Sequence, residues 1–204
     1  MPVRELRKQV MGDRTARNVE LKARVADPQT VIDTAQRLAT SPAQRLRQVD
    51  TYFNGSHGRL KLREIWTVEQ SAQAQTFSEL QAQPHRVELI WYDRPDTTEP
   101  KTSRYIQAPV TSPPLALKQA LTHALGLRAV VDKLRTVWLW DNVRIHLDDV
   151  ARLGTFLEFE AVLPEDAGTA EGERQVATLM NEFRLRPQDL VSVSYIDLIL
   201  QADA

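Results

Sequence analysis

The segment NVELKARV, residues 18–25, alternates strictly between polar and apolar side chains. Val19, Leu21, Ala23 and Val25 fall on one side of an extended chain, and the polar and charged residues between them fall on the other. A period of two residues is typical of a β-strand that has one apolar face and one polar face. The segment is therefore predicted to form a strand.

Seven further stretches have the composition of strands, at about 44–54, 59–66, 86–94, 102–108, 128–140, 142–149 and 155–163. Helical spacing of apolar residues predicts helices over 28–40, 115–125 and 171–184, and an apolar segment follows at 189–201. Asp27 and Pro28 suit the first helix, as its N-cap and first helical residue. The predicted fold class is α+β, with about eight mostly antiparallel strands.

Two stretches lack such patterns. Residues 1–16 alternate basic and polar types without a usable period, and we interpret them as a mobile lead-in. Residues 67–83 are polar and rich in glutamine, and they are predicted to form an elongated hairpin loop. Neither stretch resembles an interdomain linker, so residues 17–204 are predicted to form a single domain.

Composition excludes several classes of protein. The 204 residues include no cysteine, so disulfide frameworks, thiolate metal sites and cysteine nucleophiles are excluded. The 26 Lys and Arg residues nearly balance the 27 Asp and Glu residues, which gives no argument for nucleic acid or a membrane surface as a partner. No window approaches 18 consecutive apolar residues. A cytoplasmic location is the expectation, and a homodimer is left open.

The polar faces of six predicted strands each carry at least two ionisable groups. Arg59, Lys61 and Arg63 share one face, for example, with Leu60 and Leu62 on the other. The simpler interpretation is a sheet with one face in water. The alternative is a closed or nearly closed barrel whose charged side is the lumen, since eight strands can enclose one ligand.

In the barrel interpretation, cations that converge on a confined space need an anionic ligand, because unpaired buried charges are costly. A triphosphate suits this requirement. Its oxygens match the donors of Arg and Lys, and carboxylates on the same wall can hold an accompanying divalent cation.

The pentamer Asn18–Lys22 resembles the ExExK signature of CYTH proteins, the triphosphate tunnel metalloenzymes that include class IV adenylyl cyclases and thiamine triphosphatases. The resemblance continues, over roughly residues 17–200, through VDTYF (49–53), HGRLKLRE (57–64), ELIWYDRPD (88–96) with PKTSRY (100–105), VVDKLR (130–135), RIHLDDV (144–150) and GTFLEFEAVL (154–163). The ordered set of segments is much more specific than the single pentamer. It implies a triphosphate tunnel barrel with helices packed outside.

The resemblance also implies roles for individual residues. The carboxylates of Glu20, Glu158 and Glu160, with Asp148 as a further candidate, would hold Mg²⁺ or Mn²⁺. The cations that would bind the substrate's phosphates are Lys22, Arg59, Lys61, Arg63, Arg94, Lys133, Arg135 and Arg144. Four of these, Lys22, Arg63, Lys133 and Arg135, are the candidate catalytic residues, and Lys101 is a weaker candidate for the phosphate set.

Asn18 departs from the family pattern, in which this position usually carries Glu. Mg²⁺ prefers charged oxygen ligands, so an amide here is expected to weaken a second metal site or abolish it.

The expected function is a metal-dependent reaction on a small-molecule triphosphate. The first candidate is the cyclase reaction, in which ATP yields cyclic AMP and pyrophosphate. The alternative is hydrolysis of thiamine triphosphate, tripolyphosphate or a nucleoside triphosphate. A non-catalytic triphosphate or polyphosphate binding protein is a further alternative, which the weakened metal position at Asn18 favours.

Overall fold

A computed structural model describes residues 16–68, 83–164 and 166–203 of the chain. The strands are β1 (Ala16–Arg24), β2 (Gln44–Phe53), β3 (Arg59–Thr67), β4 (Arg86–Asp93), β5 (Lys101–Pro109), β6 (Leu127–Trp140), β7 (Val143–Val150) and β8 (Gly154–Leu163). The helices are α1 (Pro28–Leu38), α2 (Pro114–Leu125), α3 (Ala170–Glu182) and α4 (Tyr195–Ala202), and a short 3₁₀ helix spans Pro187–Asp189.

The strands form a closed barrel in the order β1-β5-β4-β3-β2-β6-β7-β8, and β8 pairs with β1 to complete it. Every pairing between neighbouring strands is antiparallel. This confirms the predicted α+β class and the barrel interpretation. A sheet with one face in water is not what these residues build, because both edges are joined.

The element predictions agree with the structure to within a few residues. The apolar segment 189–201 becomes the end of the 3₁₀ helix and most of α4. The predicted lead-in, 1–16, lies outside the described residues except for Ala16, which begins β1. The predicted loop, 67–83, also lies outside them except at its two ends. Among the residues described, no helix has both the length and the apolar character needed to cross a lipid bilayer.

The main hydrophobic core lies outside the barrel wall, under α1 and α3. Val19 and Leu21 of β1 pack with Val176 and Leu179 of α3 in one cluster of buried side chains. The apolar faces of the strands therefore turn outward to the helices, and the alternation along each strand sends the charged side chains into the lumen.

The segment that leads into α4 covers one end of the barrel. The amide of Val191 donates to the carbonyl of Lys22 (2.8 Å), and Leu190 forms a β-bridge with Ala23. Tyr195 and Ile196, at the start of α4, pack among buried side chains of the barrel. At the other end, where β2 and β4 begin and β5 ends, the described part of the chain places no comparable segment across the lumen, and we call it the open end.

The contact between α3 and the barrel depends on Gly172. A Cβ atom at this position would lie 3.0 Å from Leu163 Cδ2 and 3.0 Å from Val19 Cγ2. We expect Gly172→Val to lower the free energy of unfolding by about 1–3 kcal/mol, because the added atoms overpack this contact. Gly168→Val is the matched control, since no heavy atom of residues 16–68, 83–164 or 166–203 lies within 4 Å of a Cβ built there. Urea denaturation measures both, and equal effects would contradict the close approach.

Candidate functional site

The lumen contains a cavity of about 390 Å³ to which all eight strands contribute side chains. Its cationic residues are Lys22, Lys61, Arg63, Arg86, Arg94, Lys133, Arg135 and Arg144, and its carboxylates are Glu20, Asp50, Glu88, Glu158 and Glu160. A cavity of this volume is large enough for a small-molecule ligand. The predicted convergence of charged strand faces is thus what the barrel produces.

Asp50 of β2 organises one wall of the lumen. Its carboxylate accepts two hydrogen bonds from Arg63, each of 2.7 Å, and one of 3.0 Å from Lys61. Burial opposes the ionisation of Asp50, but the charges of Arg63 and Lys61 outweigh it and lower its pKa. Asp50 is not among the predicted site residues, although it shares the inward-facing parity of Gln48 and Tyr52 on β2.

Asp148 of β7 forms a similar cluster with cations of β6, the strand that pairs with β2. It accepts two hydrogen bonds of 2.6 Å from Arg135, one of 3.3 Å from Lys133 and one of 2.9 Å from the hydroxyl of Tyr195. Its side chain is fully buried, and it does not line the cavity. The structure therefore does not favour its candidacy as a metal ligand, because its oxygens are already used by two cations and a phenol.

The three other candidate metal ligands do line the cavity together, on β1 and β8. Glu20 is the direct cross-strand partner of Glu160, and Glu158 lies two residues along the same face. Each carboxylate contacts a cation: Glu20 contacts Arg94 at 2.8 Å, Glu158 contacts Arg135 at 2.8 Å, and Glu160 contacts Arg144 at 3.1 Å. In this arrangement the described residues include no group of three His, Cys, Asp or Glu side chains placed to share one ion.

Burial and neighbouring charges shift the pKa values of Glu20 and Glu158. Burial raises the pKa of Glu20, and the negative charge of Glu158 adds to the effect. For Glu158 burial acts in the same direction, but the charges of Lys22 and Arg135 outweigh it and lower its pKa. Carboxylates that disfavour one another in this way gain from a shared cation.

Asn18 lies next to this group. It is buried, its Nδ2 donates to Glu160 Oε1, and none of the described residues donates a hydrogen bond to its Oδ1. A buried amide oxygen without a partner is costly unless a cation or a donor reaches it. Three carboxylates and this free oxygen form a donor set that fits a hard divalent ion such as Mg²⁺ or Mn²⁺.

The lysines of the lumen are strongly affected by their surroundings. Burial lowers the pKa of Lys133 to about 7, assisted by the positive charge of Arg135. Burial together with Arg63 lowers the pKa of Lys61 to about 8, and burial together with Arg94 does the same for Lys101. Burial likewise lowers the pKa of Lys22, whose ammonium group lies 3.9 Å from the centre of the Tyr195 ring. An anion close to these ammonium groups would favour their charged form.

Three predicted phosphate-binding cations, and the weaker candidate Lys101, lie toward the ends of the barrel. Arg59 contacts Asp96 (2.8 Å) and Asp197 (2.9 Å) at the covered end and does not line the cavity. Arg144 is at the open end with 46% of its side chain exposed. Arg94 and Lys101 both donate to the carbonyl of Ser192, at 3.2 and 2.8 Å.

Tyr195 and Gln48 were also missed by sequence reasoning. Tyr195 reaches the lumen from α4, and no strand periodicity could have predicted its contact with Asp148. Gln48 faces the cavity from β2, and its Oε1 accepts no hydrogen bond from the part of the chain that the structure describes. Gln48, Asp50 and Tyr52 are spaced two residues apart, so the strand period in the sequence could have placed Gln48 on the same face as Asp50.

Comparison with known proteins gives one matching family and several similar solved structures. The model of the CYTH domain matches residues 16–195. Curated protein sequences gave no match. A solved structure of a protein from Pyrococcus horikoshii OT3 has a TM-score of 0.68 at 21% identity, covering 89% of this chain and 98% of that one.

Two further solved structures have informative descriptions. A Vibrio parahaemolyticus protein proposed to be an adenylate cyclase has a TM-score of 0.63 at 18% identity, covering 90% of this chain and 97% of that one. A Hippeastrum protein, proposed to be an adenylyl cyclase and described as having a dominant triphosphatase activity, has a TM-score of 0.56 at 12% identity, covering 91% and 96%. At these identities the likeness shows a shared fold.

The lowered lysine pKa values predict how the stability of the unliganded protein depends on pH. Between pH 7 and about 9 the unfolded chain binds more protons than the folded one, so the free energy of unfolding should rise with pH. Each such lysine contributes a slope of at most about 1.4 kcal/mol per pH unit. Urea denaturation at several pH values measures the slope, and Lys133→Met should reduce it. An unchanged slope in that variant would contradict the role of Lys133.

Proposed function

This chain belongs to the CYTH domain family, and on that premise we propose that it is a divalent-metal-dependent enzyme that acts on a triphosphate held in the lumen. The observation that supports the proposal is the charge balance of the cavity. Among the described residues, eight basic side chains line it against five acidic ones, an excess of three basic residues. An interior with that excess is suited to a polyanion.

Substrate recognition in this proposal comes from side chains on the strands. Lys22, Arg63, Lys133 and Arg135 would contact the phosphate oxygens, with Lys61 and Arg94 beside them. Each is at least nine-tenths buried or held by a buried aspartate, so the donors are in place before the substrate arrives. Preorganised donors in a site that excludes water stabilise the charge that develops in phosphoryl transfer.

Glu20, Glu158 and Glu160 would hold Mg²⁺ or Mn²⁺, and the free Oδ1 of Asn18 is an additional donor beside them. When bound, the ion supplies neutralisation of charge on the phosphate oxygens. Asp148 is left out of this set. Its proposed part is to fix Arg135 and Lys133 in position through the hydrogen bonds already described. Arg59 is also left out, since its partners are the acidic residues of the covered end.

Two reactions use this arrangement. In the cyclase reaction the ribose 3′-hydroxyl of ATP attacks the α-phosphorus and pyrophosphate leaves, and we place it first because of the likeness to the Vibrio parahaemolyticus protein. In the triphosphatase reaction water attacks the terminal phosphorus. The activity described for the Hippeastrum protein is the observation that supports this second candidate.

One assay separates these outcomes. Purified protein is incubated with Mg²⁺ or Mn²⁺ and with ATP, thiamine triphosphate or tripolyphosphate in turn, and cyclic AMP, pyrophosphate and phosphate are resolved. Cyclic AMP with equimolar pyrophosphate supports the cyclase, and phosphate release supports the triphosphatase. Binding without any product would leave a binding protein, and the absence of both binding and turnover would refute the proposal.

Arg63 provides a direct test of the phosphate site. We expect Arg63→Ala to weaken the binding of tripolyphosphate by about 1.5–3 kcal/mol, because a charged hydrogen bond to the phosphate is lost. Calorimetry in EDTA measures this without turnover. Arg24→Ala is the matched control, since Arg24 is exposed at the end of β1 and donates to the Leu153 carbonyl. Equal affinities in the two variants would remove Arg63 from the site.

Asn18 provides a test of the metal site. Asn18→Glu replaces a dipole with a full charge beside Glu160, so we expect Mn²⁺ to bind more tightly in the presence of tripolyphosphate. Without metal the same variant should unfold at a lower temperature, because the added carboxylate faces existing ones. Titration calorimetry and thermal denaturation give the two readouts. If neither changes, residue 18 is not at the metal centre.

A further inference from the structure

His146 is a buried imidazole of the lumen that the proposed function leaves without a role. It lies on β7 with 3% of its surface exposed. The chain has four histidines, all within the described residues, and His146 is the one that lines the cavity. None of the described residues forms a hydrogen bond with its Nδ1. A buried polar atom without a partner is costly, so this atom marks a place where a ligand is expected.

The register of the barrel places His146 beside the carboxylates of β8. His146 is the direct cross-strand partner of Glu158. Arg144, two residues earlier on the same face, is the partner of Glu160. Nδ1 of His146 lies 3.7 Å from Glu158 Oε2, and its Nε2 lies 3.9 Å from Glu160 Oε2. Each nitrogen of the ring therefore faces a carboxylate oxygen.

Neither of these contacts is a hydrogen bond, because both separations exceed the usual N–H···O range of about 2.7–3.2 Å. A neutral imidazole has a single N–H group, so one of its nitrogens presents a lone pair to a carboxylate. Two electron-pair donors that face each other repel unless a cation lies between them. Two atoms that bind one metal ion at about 2.1 Å, with about 90–120° between the bonds, are about 3.0–3.6 Å apart. The separations around His146 are close to this range.

A second unpartnered atom lies on the other side of the same carboxylates. Oδ1 of Asn18 accepts no hydrogen bond from the described part of the chain, while its Nδ2 donates to Glu160. β1 and β7 both pair with β8, so Asn18 and His146 flank the β8 carboxylates from opposite sides. Both unpartnered atoms are electron-pair donors. One cation between the three strands would satisfy them together with the carboxylates.

We infer that the imidazole of His146 is a ligand of the divalent metal ion, beside Glu158 and Glu160, and this inference rests on the proposed function. Glu160 would exchange its contact with Arg144 for the ion, and Arg144, 46% exposed, can be solvated instead. A nitrogen ligand changes which ion the site prefers. Mg²⁺ favours oxygen ligands, whereas imidazole suits transition-metal ions such as Co²⁺. The site is thus expected to select a transition-metal ion over Mg²⁺.

The direct test is spectroscopic and uses the unaltered protein. Mn²⁺ is bound in the presence of tripolyphosphate, which contains no nitrogen, and the electron spin-echo envelope modulation of the ion is recorded. The measurement is repeated on protein whose histidine nitrogens are isotopically labelled. We expect a coupling between Mn²⁺ and nitrogen that changes with the histidine label. Because no substitution is involved, this result does not depend on whether a variant folds.

His146→Gln provides the second measurement, and His123→Gln is the matched control. His123 is exposed on α2 and does not line the cavity. Calorimetry in the presence of tripolyphosphate gives the affinities of Co²⁺ and Mg²⁺ for both variants and for the unaltered protein. We expect His146→Gln to weaken Co²⁺ about tenfold and Mg²⁺ much less, because an amide oxygen replaces the nitrogen ligand. His123→Gln should change neither affinity.

Two results would overturn the inference: bound Mn²⁺ without a coupling to histidine nitrogen, or equal effects of His146→Gln on Co²⁺ and Mg²⁺. In either case the metal ion still binds with tripolyphosphate, so the proposed function survives with a metal site made of oxygen ligands alone. If the unaltered protein binds none of these ions in the presence of tripolyphosphate, the metal dependence of the proposed function fails and the role of His146 fails with it.

Discussion

The pairing of buried aspartates with buried cations is the constraint on which the interior of this protein depends. Asp50 holds Arg63 and Lys61, and Asp148 holds Arg135 and Lys133. A lumen this rich in cations would repel itself without such partners, since each buried charge loses its hydration. The aspartates compensate part of that charge and leave the rest for a ligand. They also fix the guanidinium groups, so that recognition does not require them to be ordered anew.

The same constraint explains why the main hydrophobic core lies outside the barrel. Because charged side chains occupy the lumen, apolar side chains are buried on the outer faces of the strands, where α1 and α3 pack against Val19, Leu21 and Phe159. Closure of the sheet by β1 and β8 removes the free edges that such a charged sheet would otherwise expose. Stability and function are thereby separated onto the two faces of one wall.

Arginine and lysine have different parts in this interior. The guanidinium groups stay charged, and for Arg63 and Arg135 the net effect of the paired carboxylates, against the opposing effect of burial, is a raised pKa. The lysines are affected in the opposite direction, since burial lowers the pKa of Lys133 to about 7. The arginines are therefore the fixed positive charges of the lumen, and the lysines are the groups whose charge depends on pH.

The sequence by itself determined the strands, because a two-residue period such as that of residues 18–25 leaves little choice of local structure. It also determined the parity of the charged positions, and with the family resemblance it pointed to a tunnel. Only the tertiary structure decided that Asp148 holds Arg135 and Tyr195 instead of facing the cavity, and that Arg59 belongs to the covered end. Parity tells which face a side chain takes. The depth of that side chain along the lumen, and the partners it meets, depend on the stagger of the strands and on a distant segment such as α4, which no local pattern encodes.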